Sequence, residues 1–457
     1  MAIFMIKKGG IIFKRRVVAK ARLFVLIITM ERIYFDCAAS TPVDSEVQKA
    51  MSPYFSRPSA GRFGNPNSLH FFGQQARKAV DESREKIAET IGGDFREIIF
   101  NGSATEANNL AIRGIVKTFK NKTPRPRIIV SAVEHESVLS TARDLEDDGI
   151  EVIYLPVNKY GIVDLKKLKE NLNENTILVS IMYANNETGV VQPISKVFEI
   201  IQEFRVKNLV RQSADSKNSK KNSKSYIINP ISRPLFHTDA VQAFQFLNCN
   251  PQELGVDMMT LSAHKIYGPK GIGLLHVKSL NPISCILNPV ITGGGQEFGL
   301  RSGTENVPYI VGFAKAVELV QKNREKEFKR IHQLSGYFWK NLKKIYPAAQ
   351  INGFNPFLNP VRRGELNAVP NILNIYFPDF EANNLLIKLD LNGIAVSSGS
   401  ACAAFSAKKS HVFQAMGLSE KRICSSLRFS FGKFTTGEEI KKSLKIISKI
   451  LKNNDRI

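Results

Sequence analysis

Cysteine is scarce in this chain: Cys37, Cys249, Cys285, Cys402 and Cys424 are all that 457 residues contain, an odd number at uneven spacing. That pattern argues against a disulfide framework and for a reducing compartment, where a lone thiol can do chemistry, so a cytoplasmic location is expected. Long apolar runs are missing too. The N-terminal LFVLIITM stops at eight residues, and no stretch approaches the roughly 20 that a membrane helix requires, so a soluble protein is expected. Acidic residues are few, 41 against 64 Lys and Arg, which leaves a formal charge of +23. A basic excess attracts polyanions in general, yet no zinc pair, RNP-like aromatic motif or homeodomain-like helix accompanies it. Nucleic-acid binding is therefore not the expected function.

The excess is also concentrated. Residues 1–30 hold seven Lys and Arg and no acid, and residues 205–233 hold eight against Asp215 alone. The first segment lacks the small-residue cleavage site of a signal peptide and the serines of a transit peptide, and reads as a basic extension upstream of a start at Met30. Within the second, QSADSKNSKKNSKSYIINPISRP has no periodicity and reads as a mobile surface insertion, with a basic docking loop as its functional alternative.

From Ile33 onward short apolar runs alternate with helical spacing: EIIF, RIIVSAVEH, EVIYLPV, TILVSIMYANN, LFHTDA, MMTLSAHK and GIGLLHV, separated by stretches such as ATEANNLAIRGIVKTF. Continuous apolar strands between helices predict an α/β domain with a mostly parallel sheet covered on both faces. A long helix over VPYIVGFAKAVELVQKNREKEFKRIHQL precedes a smaller α+β region. The expected division is a large domain over 51–290 and a small one over 291–457, with residues 31–50 packing on the small one.

In open α/β sheets ligands sit beyond the carboxyl ends of the strands, and here those ends are polar: EHES, ANNETG, HTDAVQ and SAHK. GSAT at 102–105 opens a helix, where free amides and the dipole suit a phosphate, although a plain helix cap reads the same way. His135 could be a buried histidine on a backbone carbonyl, and Asp239 a cap. Lys265 could be a solvated strand-end charge. Together, however, a phosphate cradle, an aspartate for a pyridine nitrogen, a ring cover and a desolvated amine describe pyridoxal phosphate. Cys402, in SSGSACAAFSA, sits among small residues that favour an accessible thiol over a buried core one. Arg428, in SSLRFSFG, is costly on a strand unless its fork holds a carboxylate.

The motifs IYFDCAASTPVD, FGNPNSLH, FNGSATEANNLAI, VEHESVL, NNETGVVQPI, HTDAVQAF, SAHKIYGPKGIG, GGGQEFGLRSGTEN, SSGSAC and SSLRFSFGKFTT resemble the cysteine desulfurases of the NifS/IscS type, class V aminotransferase relatives that depend on pyridoxal phosphate. The resemblance covers about residues 32–450. It implies fold type I of the pyridoxal-phosphate enzymes: a large domain with a mostly parallel seven-stranded sheet, and a smaller α+β domain. It also implies that Lys265 forms the Schiff base with the cofactor, that His135 stacks on the ring and moves protons, and that Asp239 pairs with the ring nitrogen. Gln242 and Asn186 bond the ring hydroxyl region, and Asn186 also faces the substrate. Ala104, Thr105, Ser262 and His264 hold the phosphate, with Thr304 reaching that of the neighbouring subunit in a homodimer. Arg428 clamps the carboxylate of L-cysteine, and Cys402 takes its sulfur as a persulfide, leaving L-alanine. The SSGSAC form resembles the group with a long mobile catalytic loop. The implied sulfur acceptors are an iron–sulfur scaffold or a tRNA-thiolation enzyme. Two alternatives stay open: another class V aminotransferase or lyase, including one acting on selenocysteine, and an inactive scaffold or nucleic-acid binder on the same fold.

Overall fold

The computed structural model describes residues 32–55, 62–218, 233–278, 287–357, 367–399 and 409–452, with the backbone path alone for 212–218. In chain order, strand β1 (Ile33–Tyr34) is followed by helices α1 (Ser45–Met51) and α2 (Phe71–Ile91) and strand β2 (Ile98–Asn101). Then come α3 (Ala104–Phe119), β3 (Arg127–Ser131), α4 (Glu136–Asp147), β4 (Glu151–Leu155), α5 (Leu165–Asn171), β5 (Thr176–Ser180) and α6 (Ile194–Asn218). Strands β6 (Leu235–Asp239), β7 (Met258–Ser262) and β8 (Gly273–Val277) complete the large sheet.

That sheet has seven strands in the order β2-β8-β7-β6-β5-β3-β4. Strands β7, β6, β5, β3 and β4 run parallel, and β8 is antiparallel to its neighbours β7 and β2. The mostly parallel α/β sheet read from the apolar runs is thus present. IIFN, TILVS and MMTLS are buried along their whole length because helices cover both faces, whereas EVIYL on edge strand β4 is partly exposed. Alternation divides the apolar side chains: Ile99, Ile128, Val130 and Leu178 pack under α3 and α4. Phe100, Ile129, Val179 and Phe236 point the other way, into a core continuous with Phe35, Phe338, Phe429 and Phe431.

The second half begins with α7 (Val307–Ile345), 39 residues long. It runs past the periodic stretch noted in the sequence because Leu334, Phe338 and Leu342 keep helical spacing on its packed face. Strands β9 (Gln350–Ile351) and β10 (Ile372–Tyr376), helix α8 (Ala382–Leu391), strands β11 (Ile394–Ala395) and β12 (Ser426–Ser430) and helix α9 (Gly437–Lys452) follow. β12, β10 and β9 form a small antiparallel sheet, and β1 pairs in parallel with β11. Asp36, just past β1, also bridges to Ser430, which ties the N-terminal segment to this second sheet.

Helix α6 extends to Asn218, into the stretch that reads as irregular from Gln212. Residues 212–218 contain no Pro or Gly, so a helix already nucleated propagates through them. Residues 219–232 of that insertion, the basic segment 1–30, Cys285 and Cys402 lie outside the described residues. Among the described residues no helix is long and apolar enough to cross a membrane.

Candidate active site

Strand β7 ends at Ser262 and passes into a single 3-10 turn, Ala263–Lys265. This turn carries the Lys265 amine to the N-terminal segment, where Nζ donates at 2.7 Å to the carbonyls of both Ala38 and Ala39. Gln242 Nε2 reaches the same Ala38 carbonyl at 2.9 Å, so Lys265 and Gln242 meet on one atom. Thr41 fastens the turn: its amide and hydroxyl each donate to the His264 carbonyl at 3.0 Å, and its Oγ1 accepts from the Tyr267 amide at 2.8 Å. Tyr267 has φ of 66°, a left-handed conformation that costs energy in a residue with a bulky side chain. His264 lies 3.3 Å from Ser40 Oγ, and burial, then the charges of Lys265 and Lys270, pushes it down to about 4, so it is neutral at physiological pH.

Behind this turn, strand β6 ends at Asp239, which is buried. One carboxylate oxygen accepts from the Val241 amide at 3.0 Å and the other from Asn108 Nδ2 at 2.9 Å; the chain after Ala240 turns without forming the helix that the cap reading requires. Asn108 sits on the inner face of α3, completely buried, and its Nδ2 is also 2.9 Å from Ser137 Oγ. Ser137 Oγ in turn lies 2.8 Å from His135 Nδ1. His135 itself caps α4: Nδ1 accepts from the Ser137 amide at 3.1 Å, so the ring serves the helix rather than a backbone carbonyl. Burial, with a smaller contribution from Lys265, lowers its pKa against the opposing pull of Asp239.

The GSAT turn forms as the helix start that its composition predicts. Ser103 caps α3 through the Glu106 amide, and the Gly102 amide donates to Glu106 Oε2 at 2.9 Å. These contacts leave the first-turn amides of Ala104 and Thr105 available for an anion. Strand β8 closes on this turn through Gly273, where a Cβ would stand 2.6 Å from Ser103 C and 2.8 Å from Ala104 N. Gly273 is also the register partner of Ser262, so Ser262 and the Ala104 turn share one neighbour. Thr304 is exposed on the segment that leads into α7.

Arg428 rises from the centre of β12 and is almost wholly buried. Its fork donates to Asp36 Oδ1 at 2.7 Å and to the Asn186 carbonyl at 2.8 Å, and Nε has no partner among the described residues. Ser397 is bridged to Arg428 through its backbone, and Ser410 Oγ donates to the buried Glu187 at 2.7 Å. The chain on either side of Cys402 is therefore held at the Arg428 end of the site. Burial raises the pKa of Glu187, and raises that of the fully buried Glu134 well above the carboxylate range.

The fold thus gathers Lys265, Gln242, His264, Asp239, His135, Ala104, Thr105, Ser262, Asn186 and Arg428 at one edge of the sheet. Asp36, Ala38, Asn108, Ser137 and Glu187 belong to the same place and escaped the sequence reading. Ser137 and Glu187 lie within the polar strand ends EHES and ANNETG, and Asn108 left a signal of its own: it is a polar residue among Ala107, Leu110 and Ala111 on the buried face of a helix.

The sequence pattern of the class V aminotransferases matches residues 33–216 and 227–442. A protein of Dictyoglomus turgidum named cysteine desulfurase IscS is 39% identical over 92% of this chain and 94% of its own length. Among solved structures, a NifS-like protein superposes with a TM-score of 0.76 at 34% identity, over 92% of this chain and 99% of that one. SspA in complex with cysteine gives a TM-score of 0.70 at 33% identity, over 88% and 99%. At this identity over nearly its whole length, the chain belongs to the class V aminotransferase family and, within it, to the cysteine desulfurases.

Proposed function

We propose that the protein is a pyridoxal-phosphate-dependent desulfurase that converts L-cysteine to L-alanine and carries the sulfur on Cys402 as a persulfide. The observation that carries the cofactor assignment is the joint placement of Lys265, Asp239 and the first turn of α3 at one sheet edge. The residues fit the group: two free amides and a dipole end for its phosphate, a buried carboxylate for its ring nitrogen, and an amine for its aldehyde. Bound there, the cofactor supplies an electron sink at the substrate α-carbon.

The chain's own residues do the rest. Arg428, pre-aimed by Asp36, binds the substrate carboxylate with its planar fork. Lys265 exchanges a proton at the substrate Cα, and the carbonyls of Ala38 and Ala39 receive its amine when that amine is released from the cofactor. His135 covers the ring and shuttles protons. The Cys402 thiolate attacks the substrate sulfur: a new S–S bond forms, the C–S bond breaks, and its electron pair stays with carbon, which a proton completes as alanine.

The working unit in this reading is a homodimer in which Thr304 serves the partner's phosphate site. Leu69, Phe71 and Phe72 are exposed, and Asn67 beside them bonds Glu305 at 3.0 Å, so an apolar patch of the kind that marks interfaces adjoins the Thr304 segment. The persulfide would pass to an iron–sulfur scaffold or a tRNA-thiolation enzyme.

The test is alanine and sulfide release from L-cysteine with dithiothreitol. Wild type is expected to turn over; Cys402→Ala to keep the bound-cofactor absorbance but release no sulfide; Lys265→Ala to lose that absorbance. Sulfide release by Cys402→Ala at the wild-type rate would replace the persulfide route by a lyase reaction.

A further inference from the structure

The bonds linking Asp239, Asn108, Ser137 and His135 have a direction set by atoms that can act in only one way. A backbone N–H only donates, so the Ser137 amide makes His135 Nδ1 an acceptor and leaves the proton of the neutral ring on Nε2. An ionised carboxylate only accepts, so the Asn108 side-chain nitrogen faces Asp239. The second hydrogen of that nitrogen goes to Ser137 Oγ. The Ser137 hydroxyl, having accepted there, turns its own hydrogen to His135 Nδ1. Asn108 Oδ1 is left buried without a partner among the described residues, a cost that accompanies the fixed orientation of its nitrogen.

Resting on the reading of Asp239 and His135 as cofactor contacts, we infer that Asn108 and Ser137 are positioning residues that couple these two side chains. They hold the resting His135 neutral with its proton on Nε2, so the nitrogen left to meet a ligand offers it a hydrogen bond. Neither residue touches the reacting atoms. Burial, Lys265 and His411 favour the neutral ring, and Asp239 and Glu136 oppose them. Two donors on Nδ1 add to the first side, because each is lost when that nitrogen takes a proton.

The test is a ¹⁵N-histidine titration of the full-length holoenzyme, with the His135 signals assigned by His135→Gln. At neutral pH the wild type is expected to show an unprotonated Nδ1 and a protonated Nε2. Ser137→Ala is expected to raise the His135 midpoint by about 0.5–1 pH unit, the equivalent of one lost hydrogen bond. The acid limb of kcat should move by the same amount while KM for L-cysteine stays within roughly two-fold. Ser137→Thr, which keeps a hydroxyl, should restore both. Asn108→Leu should shift the midpoint in the same direction, and if it does not fold, Ser137→Ala carries the test alone. A proton on Nδ1 in the wild type, or an unmoved midpoint in Ser137→Ala, overturns the inference. Ring shifts are read without turnover, so failure of the desulfurase reading and failure of this one are separate results.

Discussion

Asp36 and Arg428, separated by 392 positions in sequence, form a part-buried ion pair at 2.7 Å that joins the N-terminal segment to strand β12. The same segment, two and three residues on, supplies the carbonyls that receive the Lys265 amine. One short stretch of backbone therefore sets the separation between the amine and the guanidinium.

Asp36→Asn should leave Arg428 without its charged partner and free to rotate. Losing a charged hydrogen bond at this part-buried pair costs about 1.5–3 kcal/mol, which a urea midpoint would register. KM for L-cysteine should rise roughly ten-fold, about 1.4 kcal/mol of lost binding, with a smaller change in kcat. An unchanged KM would remove Arg428 from the substrate site.

Arg84 and Glu297 form a buried pair, bidentate at 2.8 and 2.7 Å, with each side chain only 2% exposed. The guanidinium also faces the rings of Phe100 and Phe298 at 4.8 and 5.0 Å. Arg84→Met or Glu297→Met alone should each cost about 3–5 kcal/mol of stability, because one buried charge is stranded. The double variant should cost less than either single one, which denaturant titration of all four proteins decides.

Gly273→Ala should weaken cofactor binding. Its new methyl group would press on backbone atoms of Ser103 and Ala104, which cannot swing away as a side-chain tip can. Overpacking of this kind costs about 1–3 kcal/mol, so the cofactor Kd, measured by its absorbance on titration, should rise at least roughly ten-fold. An unaltered Kd would argue against a phosphate at this turn.

His237 lies completely buried between Ser180 Oγ at 2.8 Å and Thr260 Oγ1 at 3.0 Å, and burial pushes it down to about 4. Its folded pKa is depressed, so its contribution is present above the unfolded value of about 6.5 and is lost as pH falls towards 4, at about 1.4 kcal/mol per unit. Glu134 has the opposite sign: its folded pKa is raised, which favours the folded state as the medium turns acid. Comparison of denaturation midpoints between pH 7 and 5 for wild type and His237→Gln isolates the histidine. The variant should show the shallower acid loss, and identical slopes would mean that His237 does not resist protonation.

Local pattern determined much of this protein. Continuous apolar runs of four or five residues can be satisfied only by strands covered on both faces, so the parallel sheet was legible. Polar residues at strand ends placed Lys265, Asp239 and His135 together, because parallel strands share one carboxyl edge. Strand-by-strand reading could not find Asp36, Ala38 or Asn108, whose roles depend on neighbours hundreds of residues away or on the inner face of a helix. It also misjudged the far end of α6, where helix propagation overrode polar composition. The sequence by itself determined the elements and the chemical groups at their ends. Only the tertiary structure decided which carboxylate meets Arg428, which carbonyls receive Lys265, and which nitrogen of His135 keeps its proton. Those outcomes depend on distances between segments, and hydrogen bonds act over about 3 Å of space regardless of separation along the chain.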